Sequence, residues 1–307
     1  MSRPGPNRQS AGLLFGLGAY GSWGLFPAFF PLLKPAGAFE VLAHRIVWTL
    51  VFMAAVIVVT GRLAIIRNID RRSWLLLVCA SALISTNWVI YIYAVNNGHV
   101  VDAAFGYFVT PLVSVALGVL MFSERLNRAQ TVALVIAVAA VAVLGIETGA
   151  TPFIALGLAF SFGLYGAVKK TIPTDPRLSV GIEAGLAAPF ALAFIATIQL
   201  TGQATFTGNG GWHTVLMIVS GPVTAVPLLF FAAAAQRLPL VTLGLLMYLN
   251  PAMQLTWGVL VGHEPMPTAR WVGFALIWLA LAVFSVDALR RSRAERAVAR
   301  PGAQETR

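Results

Sequence analysis

Apolar residues in this chain neither alternate at period 2 nor mark a single stripe at period 3.6. They come as consecutive runs of about 20 residues. A helix of that length crosses roughly 30 Å of hydrocarbon. In lipid every backbone N–H and C=O must be satisfied within its own segment, so such runs predict transmembrane helices. Ten are predicted, over 12–32, 39–59, 74–95, 101–122, 129–146, 152–168, 179–200, 213–234, 240–260 and 270–287. The fold class is therefore an all-α, polytopic membrane protein. Residues 1–11 read as a polar N-terminal tail and 288–307 as a basic, Arg-rich one, solvated or facing lipid headgroups. Arg3 and Arg8 ahead of the first run, with Ala36-Gly37-Ala38 behind it, imitate a secretory signal. The run is longer than a signal core of about 7–15 residues and further spans follow at once, so it reads as an uncleaved first helix.

Composition agrees: 58% of residues are hydrophobic and 10% charged, with mean hydropathy +0.82. A soluble domain carries about a quarter charged residues. The net charge of +10 would suit nucleic acid, but the basic residues lie between and after the apolar runs rather than on one face, so no nucleic-acid partner is expected. Their distribution gives orientation instead. With the N-terminus inside, the inner connections and tails hold 18 Lys and Arg and the outer ones only Lys34 and Arg270, with Arg45 left inside a span. Both termini are then cytoplasmic, in a multi-pass membrane protein. The single Cys79 lies in a run and excludes an internal disulfide or a cysteine metal site. No metal and no cofactor are expected.

An internal repeat occurs at offset 140. Pro111, Gly118 and Glu124 close the fourth span as Pro251, Gly258 and Glu264 close the ninth. Near offset 142, Gly21, Trp23 and Gly24 face Gly163, Tyr165 and Gly166. A unit of five spans is odd, so its second copy enters the membrane upside down, a common build for secondary transporters.

Ionisable groups within spans cost about 2.5–3.5 kcal/mol each on insertion scales, so each requires a reason. His44 and Arg45 lie roughly 8 Å into the second span. They either present a fixed charge and a titratable neighbour to a water-filled cavity, or pair with Glu40 and outer-loop carbonyls to hold the helix. Glu183, opposite Ala43 under the repeat, either gives the second half an ionisable group on the same pathway or pairs with Lys169 or Lys170 at the cytoplasmic surface. Asn87, beside Trp88, Tyr91 and Tyr93, is a substrate contact or an interhelical hydrogen-bonding group. Thr110-Pro111 and Asn250-Pro251 occupy equivalent positions, where proline frees a carbonyl and kinks or gates the helix, with Tyr107 and Tyr248 as nearby cavity aromatics. Glu124 and Glu264, at helix ends near Arg125, Arg128 and Arg270, are expected to pair at an interface. No phosphate-binding G-x-x-x-x-G-K-[ST] loop, H-E-x-x-H or nucleophile–base set occurs, which disfavours an ATP-driven engine or an intramembrane enzyme.

The first span, Tyr20-Gly21-Ser22-Trp23-Gly24-Leu25-Phe26-Pro27, resembles the opening helix of the EamA-type drug/metabolite transporter superfamily. Ala43-His44-Arg45-Ile46-Val47-Trp48 resembles its RarD branch, as do Asn87-Trp88 with Tyr93-Ala94-Val95-Asn96-Asn97, and Gly106-Tyr107-Phe108 leading to Pro111-Leu112-Val113. The stretch from Ala155 to Phe162 and Ile182-Glu183 are similar to the same branch, and the likeness runs from about 10 to 290. It implies ten helices as two inverted five-helix EamA repeats, 12–146 and 152–287, in the cytoplasmic membrane. It also implies a permease moving small metabolites or drugs by alternating access, in a branch labelled for chloramphenicol sensitivity. One departure is Leu245-Leu246-Met247-Tyr248-Leu249-Asn250, where relatives favour Phe-Phe-Gln-Tyr-Ile-Gly; a cavity position has changed. The expected function is secondary transport of a small polar or amphipathic molecule, with proton coupling through His44 or Glu183. A passive channel would instead show rings of like residues, and an enzyme or receptor a catalytic set or a sensing domain.

Overall fold

The structure, a computed structural model, describes residues 6–97, 99–148, 152–261 and 268–298. In chain order the main helices are α1 (Pro6–Gly24), α2 (Ala38–Val59), α3 (Arg71–Asn96), α4 (Val100–Phe122), α5 (Arg128–Thr148) and α6 (Pro152–Thr171). There follow α7 (Pro176–Leu200), α8 (Gly210–Ala235), α9 (Leu240–Met247), α10 (Leu249–Leu260) and α11 (Thr268–Val298). Among the described residues, 8 helical stretches are long and apolar enough to cross a membrane. Large apolar side chains point outward from them: Leu200 is 88% exposed, Phe153 83% and Phe190 81%. A soluble monomer does not expose such a surface, whereas lipid accommodates it. The chain is a multi-pass membrane protein.

Two expected spans are not continuous helices. The first bends at Leu25 and continues as two single turns, Phe26–Phe29 and Phe30–Leu33, each with proline at its start. The ninth divides at Tyr248 into α9 and α10, just ahead of Pro251. By contrast α4 passes through Pro111, α7 through Pro189, and α8 through Pro222 and Pro227 without a break. The last helix runs on to Val298, past 287, where a polar tail was expected to begin. Glu264 lies outside what the structure describes, as does the whole 262–267 connection.

Close crossings organise the bundle. A Cβ on Gly221 in α8 would fall on the Trp48 carbonyl carbon of α2 and stand 2.6 Å from its oxygen. Thr49 Oγ1 donates to the Gly221 carbonyl at 3.1 Å across the same contact. Small residues at such crossings let backbones approach where lipid supplies no hydrophobic drive for association. Gly24 likewise admits α10, since a Cβ there would meet Met253 at 2.7 Å.

The end of the bundle at which α1 begins also carries the basic connections, and it is tied together. Arg62 pairs with Asp175 at 2.8 Å, joining the α2–α3 and α6–α7 connections. Gln236 donates to the carbonyls of Ile172 and Thr174 at 3.1 and 2.8 Å. Lys170 donates to the Leu238 carbonyl at 2.6 Å and reaches Glu124 at 3.2 Å. Glu124 accepts from the Leu240 and Val241 amides, each at 2.8 Å, and so caps α9. It thus pairs with Lys170 and a helix start rather than with Arg125 or Arg128. Asp70 caps α3, accepting from the Arg72 and Ser73 amides; a Ser73 hydroxyl hydrogen bond, then these amides, hold its carboxyl below the usual range. Glu124→Ala would strand two amides and remove one of Lys170's two partners, so a loss of about 1–2 kcal/mol is expected. Thermal unfolding of purified Glu124→Ala with an unchanged midpoint would show that α9 does not need this cap.

Candidate functional site

Arg45 lies on α2, within the membrane segment, and is half-buried. Its Nε donates to Thr224 Oγ1 of α8 at 2.8 Å. The guanidinium carbon sits over three rings: Phe30 at 5.1 Å, Trp88 at 5.5 Å and Phe26 at 5.6 Å from their centroids. Such placement stabilises a cation through the ring quadrupole by about 1–2 kcal/mol per desolvated contact. The proline-broken end of the first span is what brings Phe26 and Phe30 here. Tyr107 and Tyr91 are near enough to interact with the charge electrostatically. Their rings lie 5.9 Å apart, and the Tyr107 hydroxyl points at Asn87 Oδ1 at 3.5 Å. Asn87 Nδ2 donates to the Leu158 carbonyl and to Ser161 Oγ of α6, both at 3.0 Å. Asn87 is thus an interhelical tie that also orients a tyrosine of the Arg45 group.

Glu40 is not Arg45's partner. Its carboxylate is buried and accepts from the Thr205 amide at 2.6 Å, the Thr205 hydroxyl at 3.0 Å and the Phe206 amide at 3.2 Å. It anchors the α7–α8 connection. His44 stacks on Phe206 with centroids 4.4 Å apart, and neither ring nitrogen has a partner among the described residues. His213 Nε2 lies 3.1 Å from the Thr205 hydroxyl in the same cluster.

Glu183 sits elsewhere. Its Oε1 accepts from Lys169 Nζ at 2.6 Å and Ser179 Oγ at 2.7 Å, and its Oε2 from the Tyr165 hydroxyl at 3.1 Å. The pairing with Lys169 is deeply buried: the two side chains are 1% and 6% exposed. A small cavity lies between α2, α3, α7 and α8. Ile46, Thr49, Ile84, Ser85, Trp88 and Glu183 are among its lining residues, so one wall touches the Arg45 cage and another the Lys169 pair.

The remaining expected residues do not converge on it. Tyr248 is buried in the main core with its hydroxyl unpartnered among the described residues. Asn250 accepts from Gln254 at 2.9 Å along its own helix. Trp23 packs in an aromatic cluster with Tyr20, Phe162 and Phe231. Thr224, Phe26 and Phe30 belong to the Arg45 site and were not singled out from sequence, and Lys169 was expected only as a surface partner of Glu183. A phenyl ring in an apolar run gives no sign of whether it meets lipid or a cation, and Lys169 stands beside Lys170 like a surface pair.

The apolar helices thus close round a small, largely apolar cavity with Glu183 on its wall. Residues 10–146 match the EamA-like transporter family. The chain is similar to Protein RarD of Streptomyces exfoliatus, with 48% identity over 293 residues, 95% of this chain and 93% of that protein. It is also 39% identical to the Uncharacterized transporter YojE of Bacillus subtilis, over 93% of this chain and 97% of that one. A crystal structure described only as "Crystal structure of protein" shares the fold, with TM-score 0.70 at 19% identity over 91% of this chain and 98% of that chain. The chain belongs to the EamA-like transporter family, in its RarD-like branch, and is a membrane transporter.

Proposed function

We propose that this protein is a secondary transporter that moves a small polar or amphipathic molecule by alternating access. In this reading ten helices form two inverted five-helix halves, α1–α5 and α6–α11, with α9 and α10 serving as one broken span. The basic end faces the cytoplasm of a bacterial inner membrane. The observation that carries it is the cavity walled by α2 and α3 from one half and by α7 and α8 from the other. Helix pairing supports the halves. The contacts α1–α8, α2–α8 and α1–α10 have counterparts in α6–α3, α7–α3 and α6–α4, while α2–α7, α4–α9 and α5–α11 map onto themselves. The tied basic end, with Arg45 half-buried toward the other end, corresponds to an outward-facing state. Arg45 receives the substrate, and Glu183 is the group through which a proton would enter the cycle.

Side-specific labelling tests this. In a Cys79→Ala background, Ser85→Cys should react with an impermeant maleimide from either face of the membrane. Cross-linking Arg62→Cys to Asp175→Cys with a flexible bis-maleimide should abolish reaction from the basic face alone. Reaction from both faces regardless of the cross-link would indicate a channel, and reaction from one face only would reject alternating access.

A further inference from the structure

We propose that the Arg45 site selects organic monocarboxylates with a flat apolar body and excludes the corresponding α-amino acids; this rests on the reading of Arg45 as a substrate group. Among the described residues only Nε of the guanidinium is hydrogen-bonded, to Thr224. Both terminal NH2 groups are without a hydrogen-bond or ion-pair partner among the described residues. That pair of groups is the edge that meets a carboxylate with two parallel hydrogen bonds. The charge needs a counter-ion, and the neighbouring carboxylates are engaged: Glu40 by the Thr205 and Phe206 amides, Glu183 by Lys169. One guanidinium therefore awaits one negative charge.

The surroundings specify the rest of the molecule. Phe26, Phe30 and Trp88 crowd the guanidinium, so a carboxylate docking on its open edge brings its own carbon frame against aromatic walls. Flat apolar groups pack there with the offset or edge-on geometry that rings favour. An ammonium next to the carboxylate would be placed beside a cation with no free carboxylate to receive it. Like-charge juxtaposition at a recognition site is unfavourable.

The test uses the purified full-length chain in detergent and four probes: 3-phenylpropionate, its neutral amide, acetate, and L-phenylalanine. Binding is read by calorimetry and by the thermal shift that a ligand of the folded state produces. 3-Phenylpropionate should bind; its amide, which loses the charge-assisted pair, and L-phenylalanine, which adds a like charge, should bind at least about 30-fold more weakly, and acetate, which lacks the apolar body, should also bind more weakly. Arg45→Met should fold and lose the preference for the carboxylate over its amide. Arg45→Lys keeps the charge without the planar fork and should retain only part of it. Equal binding of the amide, equal binding of L-phenylalanine, or no binding of 3-phenylpropionate overturns the proposal. If Arg45→Met does not accumulate, the four-probe comparison on the wild type and Arg45→Lys decides it alone. The Ser85→Cys labelling requires no ligand, so alternating reactivity without 3-phenylpropionate binding rejects this substrate class and leaves the transport reading intact.

Discussion

Lys169→Met should lower the stability of the protein by about 3–5 kcal/mol, because it strands the Glu183 charge inside the bundle. The two side chains are 1% and 6% exposed, so solvent screens little of the pairing. Ser179 and Tyr165 would still donate to the carboxylate, and Glu183 could take up a proton instead of remaining charged, which caps the loss. The double variant Lys169→Met/Glu183→Leu removes both charges and should recover most of the stability, since the desolvation of two ions is relieved together with their attraction. Reversible unfolding in mixed SDS–detergent micelles measures all three proteins. A single variant that unfolds within about 1 kcal/mol of wild type, or a double variant no better than the single, would mean that the pair is not the buried unit described.

Gly221→Ala should be nearly as damaging, at about 1–3 kcal/mol or more. Alanine in a helix interior is otherwise favoured over glycine by up to about 1 kcal/mol, so the steric penalty has to exceed that gain. It does so because the added methyl would strike the Trp48 main chain, which cannot swing away as a side chain can. Gly185→Ala is the matched control on α7: its nearest neighbour would be Leu50 Cδ1 at 3.6 Å, an ordinary contact. The control should be neutral or slightly stabilising by thermal unfolding. If the two substitutions behaved alike, α2 and α8 would have to cross at a greater separation than the structure gives.

Much of the helical layout was legible because lipid permits few backbone solutions. Runs of apolar residues marked the helices, and ionisable residues within them marked Arg45 and Glu183 as needing partners. What the sequence left open was the partner. Arg45 had Glu40 one turn away, but Glu40 is taken by amides 165 and 166 residues further on, a contact no local pattern announces. Glu183 does pair with Lys169, one of the two expected lysines, but in the interior rather than at the surface, and with Ser179 and Tyr165 completing the set. Proline was similarly ambiguous. Pro27, Pro31 and Pro251 accompany breaks whereas Pro111, Pro189, Pro222 and Pro227 do not, since neighbouring helices decide whether a missing hydrogen bond opens the chain.

That difference between Pro111 and Pro251 reaches further. On the inverted-repeat reading the two prolines occupy the same place in two copies of one unit, yet α4 is continuous while α9 and α10 are separated at Tyr248. The continuous copy lies close against α6, where a Cβ on Gly106 would stand 3.0 Å from the Ala155 main chain; the interrupted copy meets the bent first span through Gly24 and Met253. A proline thus leaves one helix continuous and accompanies an interruption in another, so the neighbours that each helix meets, rather than the imino acid, set the backbone course there.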